Sequence, residues 1–235
     1  MKDKPVCLDL FCGAGGASAG YAAAGFRVIG MDINPQPHYP YRFLQRDAME
    51  VLAELAAGNE VRIDGDTLVS TGDIAMIHAS PPCQAYTRLR ALAESSANTP
   101  RDYPDMLSAV QSVLDKIALP YIIENVQGAP LRNAGMLCGT MFGLRVFRHR
   151  YFESNILLFF PSHRRHPDGS TTHVQYGFSS FANGATHIGV YGKGFCAADA
   201  RLAMAIGWMT GAELSQAIPP AYTAYLGRQM MRVVR

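Results

Sequence analysis

Lysine is scarce in this chain: among 235 residues it occurs only at Lys2, Lys4, Lys116 and Lys193, so arginine carries most of the positive charge. That choice points toward planar, bidentate contacts to phosphate or guanine rather than diffuse attraction. Net charge is only +2, too small by itself to indicate a nucleic-acid partner. Charged residues make up 17% against 49% hydrophobic, which excludes a disordered chain. Long apolar runs are lacking too. The longest, around residues 156–160, is far short of a bilayer span, so no membrane partner is expected. Met1-Lys2-Asp3-Lys4-Pro5 has no apolar stretch of a secretory signal, and a cytoplasmic location is expected. The five cysteines, Cys7, Cys12, Cys83, Cys138 and Cys196, are odd in number and widely spaced, with no C-x-x-C pair. Neither a disulfide framework nor a zinc site is therefore expected. His163 and His166 form a small group that could bind metal but reads first as surface histidines in a basic loop, and no metal is assigned.

What is present is an alternation. An apolar run over 6–11 ends in glycines, and a small-residue helix over 17–24 is stopped by Gly25. A strand is predicted over 27–31, a helix over 49–57, and a buried strand over 74–79 that Pro81-Pro82 terminates. Helical spacing over 103–118 leads through Leu119-Pro120 into another strand. Strands alternating with helices predict a mostly parallel sheet covered on both faces, with ligands at the carboxyl ends of its strands. From about 153 to 194 helical periodicity is absent and small polar residues dominate, which predicts an irregular or β-rich insert. Helical patterning returns over 197–208 and after Pro220.

Three constellations carry chemistry. In Asp9-Leu10-Phe11-Cys12-Gly13-Ala14-Gly15-Gly16, glycines between strand and helix admit close approach of a ligand, and the helix start offers unpaired N–H groups. Asp32, one strand later, is placed to bond a ribose hydroxyl. A tight turn without ligand is the bland reading of the glycines. In Ser80-Pro81-Pro82-Cys83-Gln84, two prolines stiffen the loop that presents a thiol. A helix starting nearby would lower its pKa and favour the thiolate a nucleophile needs. The bland reading is a small buried cysteine. In Glu124-Asn125-Val126, an acid ends an apolar strand, where partial burial raises its pKa toward a useful acid. A basic stretch, Arg145, Arg148, Arg150, Arg164 and Arg165 interleaved with His149, His163 and His166, faces a single acid, Glu153.

Taken in order with Asp47 and Ala217-Ile218-Pro219-Pro220, these residues resemble the cytosine-C5 DNA methyltransferases, of a compact phage or bacterial type. The resemblance implies an α/β fold with a Rossmann-like, S-adenosyl-methionine-dependent methyltransferase sheet. It implies a catalytic and cofactor-binding domain over 1–152 and 195–235, with a short target-recognition insert over 153–194. Phe11, Gly13, Gly15, Gly16 and Pro82 would line the cofactor site, Asp32 would bind the ribose, Asp47 the adenine amino group, and Ile33 would pack on the ring. Pro219-Pro220 would fold back beside them. Cytosine would be rotated out of duplex DNA. Cys83 would add to C6, Glu124 would hold the N3 and N4 edge, and C5 would then take the methyl group. Arg150 would contact the flipped nucleotide, with Arg148 supporting its loop and Asn125 bracing the cysteine loop. Gln84, Arg164 and Arg165 would contact DNA.

Two positions depart from the family pattern: Val146 stands where glutamine is usual, and Gln216 precedes Ala217-Ile218 where asparagine is usual. The short insert implies a short or relaxed recognition sequence, or a partner that supplies specificity. A cognate restriction endonuclease would be the natural companion. Three other classes are weighed: a methyltransferase for small molecules or free nucleotides, which would not need the arginine-rich stretch; a DNA-binding module without catalysis, which would not need Cys83 and Glu124; and a nicotinamide oxidoreductase, which Ser18 disfavours because glycine is wanted there.

Overall fold

The computed structural model describes residues 4–64, 67–86, 105–163, 166, 181–182, 184–192 and 194–234. Strands and helices arise where apolar spacing predicts them, among them β1 (Val6–Leu10), α1 (Gly16–Ala24), β2 (Arg27–Asp32), α2 (Ala48–Ala56), β6 (Ile74–Ala79) and β7 (Tyr121–Asn125). Between them lie β3 (Arg42–Gln45) and a small antiparallel pair, β4 (Val61–Asp64) and β5 (Thr67–Val69). Helix α3 (Met106–Ile117) precedes β7; β8 (Gly135–Leu137), a short 3-10 turn (Gly139–Phe142), β9 (Val146–Phe147) and β10 (Arg150–Ser154) follow it. The chain closes with β11 (Ile188–Gly189), α4 (Ala197–Met204), α5 (Gly211–Gln216) and α6 (Pro220–Met230).

Seven strands form the main sheet in the order β3-β2-β1-β6-β7-β10-β8. The first five run parallel, and β10 is antiparallel to both its neighbours. Because successive side chains point to opposite faces, each central strand feeds two cores. Leu8, Leu10, Ile29, Met31, Ile77 and Ile123 pack with α2 and α3 on one face. Cys7, Val28, Met76 and Ile122 pack with Tyr21, Tyr222 and Leu226 of α1 and α6 on the other. Each large apolar side chain so buried contributes about 1.5–3 kcal/mol. A third cluster gathers Val146, Ile188, Met204, Ile206 and Leu214 around the β9–β11 pair.

The close packing of α1 on α6 depends on Gly20. A Cβ there would meet Thr223 Oγ1 at 2.0 Å and the Pro220 carbonyl at 2.2 Å. Gly16 likewise lets the Ile218 carbonyl approach, so the Pro219-Pro220 segment does return to the start of α1.

Strand β10 runs two residues into the stretch that sequence assigns to the insert. Glu153 is buried, where it accepts from Arg132 Nε at 2.7 Å and from Gln111 Nε2 at 2.6 Å. Ile156, Leu158 and Phe160 then pack on the second core. Apolar alternation rather than glycine content governs that short segment.

Candidate active site

The order of the strands reverses between β1 and β6, the point at which open parallel sheets bind ligands outside their carboxyl ends. All three sequence constellations arrive at that edge. The glycine turn follows β1, Ser80 to Gln84 follows β6, and Glu124 and Asn125 end β7. Because β10 is antiparallel and Tyr151 pairs with Asn125, Arg150 starts β10 where β7 finishes.

Cys83 is half-buried on its loop. Asn125 Nδ2 donates to the Pro81 carbonyl at 3.1 Å, tying that loop to β7. Pro82 and Gln84 are exposed beside it. The thiol pKa is raised, chiefly by burial and then by the charge of Glu124, while Arg150 and Arg148 pull it back. This corrects the sequence expectation of a lowered thiol pKa. Removal from water outweighs the cationic neighbours.

Glu124 is buried, and burial raises its pKa against the opposing pull of Arg150, Arg148 and the Ser80 hydroxyl. Arg150 Nε stands 2.8 Å from Glu124 Oε1. The pair is Coulombic without hydrogen-bond alignment, and Oε1 has no hydrogen-bond donor. A buried acceptor left in that state is suited to a polar ligand edge. Arg148 is buried behind the site. It donates to the Val190 carbonyl and, at 2.8 Å, to the Ser215 carbonyl, and its own carbonyl accepts from Tyr222 Oη at 2.6 Å. It thus holds β10's approach, the end of the insert and the segment before Ile218 together.

At the glycine turn, Asp32 accepts from Gly13 N at 3.1 Å and from Asn34 N at 2.9 Å. Gly13 has φ +49, and a Cβ there would project into open space. The missing side chain of Gly15 makes room for the ring of Tyr39, 2.9 Å from where a Cβ would stand. Phe11 also has positive φ, 57. Ile33 next to Asp32 is 62% exposed, an apolar side chain left for a ring to cover. Asp47 caps α2, accepting from Met49 N at 2.7 Å through Oδ1.

Several side chains at the site carry contacts to which the sequence assigned no role. Asp9, at the end of β1, is fully buried; it accepts from Ser18 Oγ, which in turn contacts Tyr39 Oη at 2.7 Å. Its Oδ1 has no partner, and burial raises its pKa to about 7. Trp208 Nε1 donates to the Ala14 carbonyl at 2.8 Å, closing the turn from the far end of the chain. His78, buried with a pKa lowered to about 3, links Tyr21 Oη to Ser80 Oγ. Arg164 and Arg165, expected to contact DNA, lie outside the described residues.

A family model for the C-5 cytosine-specific DNA methylases matches residues 6–139. The Type II methyltransferase M.XorII of Xanthomonas oryzae pv. oryzae is 28% identical over 160 residues, 66% of this chain and 32% of that protein. Type II methyltransferase M.AplI of Arthrospira platensis is 31% identical over 134 residues, 57% of this chain and 34% of that protein. The matched part therefore spans about a third of these curated relatives. The crystal structure of S. pombe Dnmt2 methyltransferase superposes with a TM-score of 0.62 at 14% identity, over 99% of this chain and 100% of that one. The Entamoeba histolytica methyltransferase EhMeth gives 0.56 at 13%, over 100% of both. At that identity the likeness concerns the fold: a mixed α/β, Rossmann-like methyltransferase sheet.

Proposed function

The chain belongs to the C-5 cytosine-specific DNA methylases, and on that premise we propose that it methylates C5 of cytosines rotated out of double-stranded DNA. The observation that carries this reading is the meeting of Cys83, Glu124 and Arg150 at the ends of β6 and β7 and the start of β10. Cys83 Sγ adds to C6 of the ring. Glu124 shares its proton with N3 and accepts from the N4 amino group, so the electron pair released by the addition is stabilised and C5 becomes nucleophilic. After C5 takes the methyl group, with S-adenosyl-homocysteine as the leaving group, water accepts the C5 proton. The electron pair left behind re-forms the C5–C6 double bond and expels the Cys83 thiolate, and N3 returns its proton to Glu124, leaving 5-methylcytosine. The adding species is the thiolate, so the Cys83 proton first passes to water; with Glu124 protonated and engaged by N3 and N4, the carboxylate charge that opposes that thiolate is gone.

S-adenosyl-methionine, when bound, supplies an electrophilic sulfonium methyl group. The residues present fit it. Open space over Gly13, an exposed Ile33 beside Asp32, and the second carboxylate oxygen of Asp47 offer respectively backbone approach, a ring platform and an acceptor for an amino group. Asp32, fixed by two backbone donors, keeps lone pairs for ribose hydroxyls. Asp9 and Ser18 support the turn from below.

Residues 153–194 serve as the recognition element in this reading, with Gln84, Arg164 and Arg165 toward the DNA, in a bacterial or phage-infected cytoplasm. So short an element reads few base pairs, or a partner supplies specificity, as in a restriction–modification system. Transfer of labelled methyl to duplex DNA is the direct test, with dCMP as comparison substrate. Label in duplex cytosine supports the reading, and label in dCMP alone overturns it. Bisulfite sequencing of DNA from expressing cells is expected to return a short or relaxed motif. A long, strict motif without any partner contradicts the recognition part alone.

A further inference from the structure

Four side chains from three separate stretches of the chain converge on one point beside Arg148 and Arg150. Cys138 caps the 3-10 turn after β8, His149 lies between Arg148 and Arg150, and His163 and His166 follow the segment packed along the second core. Their ligand atoms all lie within 4.8 Å of one another. His166 Nε2 is 3.1 Å from His149 Nε2, 3.2 Å from His163 Nε2 and 3.5 Å from Cys138 Sγ.

Hydrogen bonding does not account for this convergence. A ring nitrogen either carries one proton or offers one in-plane lone pair, so His166 Nε2 can satisfy one of its three neighbours. A shared cation satisfies all four at once. Metal–nitrogen bonds of about 2.0–2.1 Å and a metal–sulfur bond of about 2.3 Å give a tetrahedron with nitrogen–nitrogen edges of about 3.3 Å and nitrogen–sulfur edges of about 3.6 Å. The three separations from His166 match those edges, and the remaining ones stay within 4.8 Å. The rings surround a centre: His163 stands at 90° to His149 and at 87° to His166, each pair with centroids 5.0 Å apart.

We propose that Cys138, His149, His163 and His166 form a tetrahedral site for a divalent zinc ion that clamps the start of the recognition insert onto the loop carrying Arg148 and Arg150. One thiolate and three imidazoles form a borderline-soft donor set that suits zinc over magnesium or calcium. The protein fills all four positions, which makes the site structural. Outer contacts orient the ligands as metal sites require: Thr140 Oγ1 donates to Cys138 Sγ at 3.4 Å, and Phe147 stacks on His166 with centroids 4.1 Å apart. The His149 carbonyl accepts from Arg150 at 2.9 Å, so a held His149 also holds the Arg150 guanidinium. Among the described residues this is the one such group with cysteine and histidine ligands.

The site is testable without reference to methylation. Untagged protein purified without chelator should contain one zinc per chain by elemental analysis. Apo protein, prepared with a chelator, should bind cobalt(II) with the intense visible bands of tetrahedral coordination and a thiolate-to-cobalt charge-transfer band. Cys138→Ser should abolish the charge-transfer band. His163→Gln, at an exposed position, should weaken cobalt affinity by more than about 100-fold, beyond what loss of an outer contact costs. Cys196→Ser, outside the cluster, should change neither. Weak octahedral cobalt absorption in the wild type, or tetrahedral bands that survive both Cys138→Ser and His163→Gln, would overturn the proposal. The wild-type spectrum decides even where a variant fails to fold.

Discussion

Arg150 Nε lies 2.8 Å from Glu124 Oε1 across the antiparallel β7–β10 pair, near enough to attract but turned off the hydrogen-bond axis. The guanidinium therefore tempers the cost of burying the carboxyl without consuming the oxygen that a base edge would use. Glu124→Gln keeps the shape and removes the proton donor. Turnover should fall by about 10²–10⁴-fold, the usual weight of a positioned acid, with the far-ultraviolet circular dichroism unchanged. Steady-state methyl transfer measures it, and near-wild-type turnover would contradict the assignment.

The same pair sets the thiol. Burial and the Glu124 charge both raise the Cys83 pKa, so its thiolate fraction stays small at neutral pH and grows only above the ordinary thiol range. Alkylation of Cys83 in free enzyme, followed by peptide mass spectrometry, should have a midpoint above that of free cysteine. In Glu124→Gln the midpoint should move down, because a raising charge is gone. An upward move would show that Glu124 does not act on the thiol.

Two glycines separate packing from binding. Gly20→Ala forces a Cβ to 2.0 Å from Thr223 Oγ1 and should cost at least about 1–3 kcal/mol of stability by overpacking. Gly13→Ala meets no atom but holds alanine at φ +49, a left-handed cost of roughly 1–2 kcal/mol. Its larger effect should be on S-adenosyl-methionine affinity, read by calorimetry. Equal affinity in Gly13→Ala and wild type would place the cofactor elsewhere.

Asp9 gives a stability signature with a defined sign. Its folded pKa, about 7, lies above the ordinary value of 3.8, so the fold favours the protonated form. That contribution is complete below about pH 4 and is lost as pH rises through about 7. Asp9→Asn removes the dependence. Relative to wild type the variant should gain stability between pH 4 and 7, at most about 4 kcal/mol at 1.36 kcal/mol per unit. Denaturant unfolding across that range measures the difference, and a constant difference would mean that Asp9 is already ionised.

The strand ends were legible because parallel strands buried on both faces read as near-continuous apolar runs and stop at glycine or proline: β1 at the glycine turn, β6 at Pro81-Pro82. Strand β3, with burial split between exposed and intermediate positions, carries no such run, and its place at the sheet edge follows from β2 rather than from its own residues. The sequence signal for α5 was equally present but shorter: Thr210 and Glu213 form a capping box.

What the sequence hides is what distant segments bring together. Trp208 reaches Ala14 across 194 positions, and Arg148 joins Val190 to Ser215. Of the Cys138 and histidine cluster only His163 and His166 are sequence neighbours; Cys138 and His149 come from two other segments, so an absent C-x-x-C says nothing about it. Tyr39, which occupies the side-chain space of Gly15, likewise has no local pattern to mark it.

In the proposed reaction a bond forms between the Cys83 sulfur and C6 of cytosine. Duplex DNA carrying 5-fluorocytosine blocks loss of the C5 substituent after addition, so the adduct should persist. Incubated with S-adenosyl-methionine and resolved under denaturing conditions, wild-type protein is predicted to migrate as a covalent DNA complex and Cys83→Ser as free protein. An adduct retained by Cys83→Ser, or none formed by active wild-type enzyme, would contradict the account.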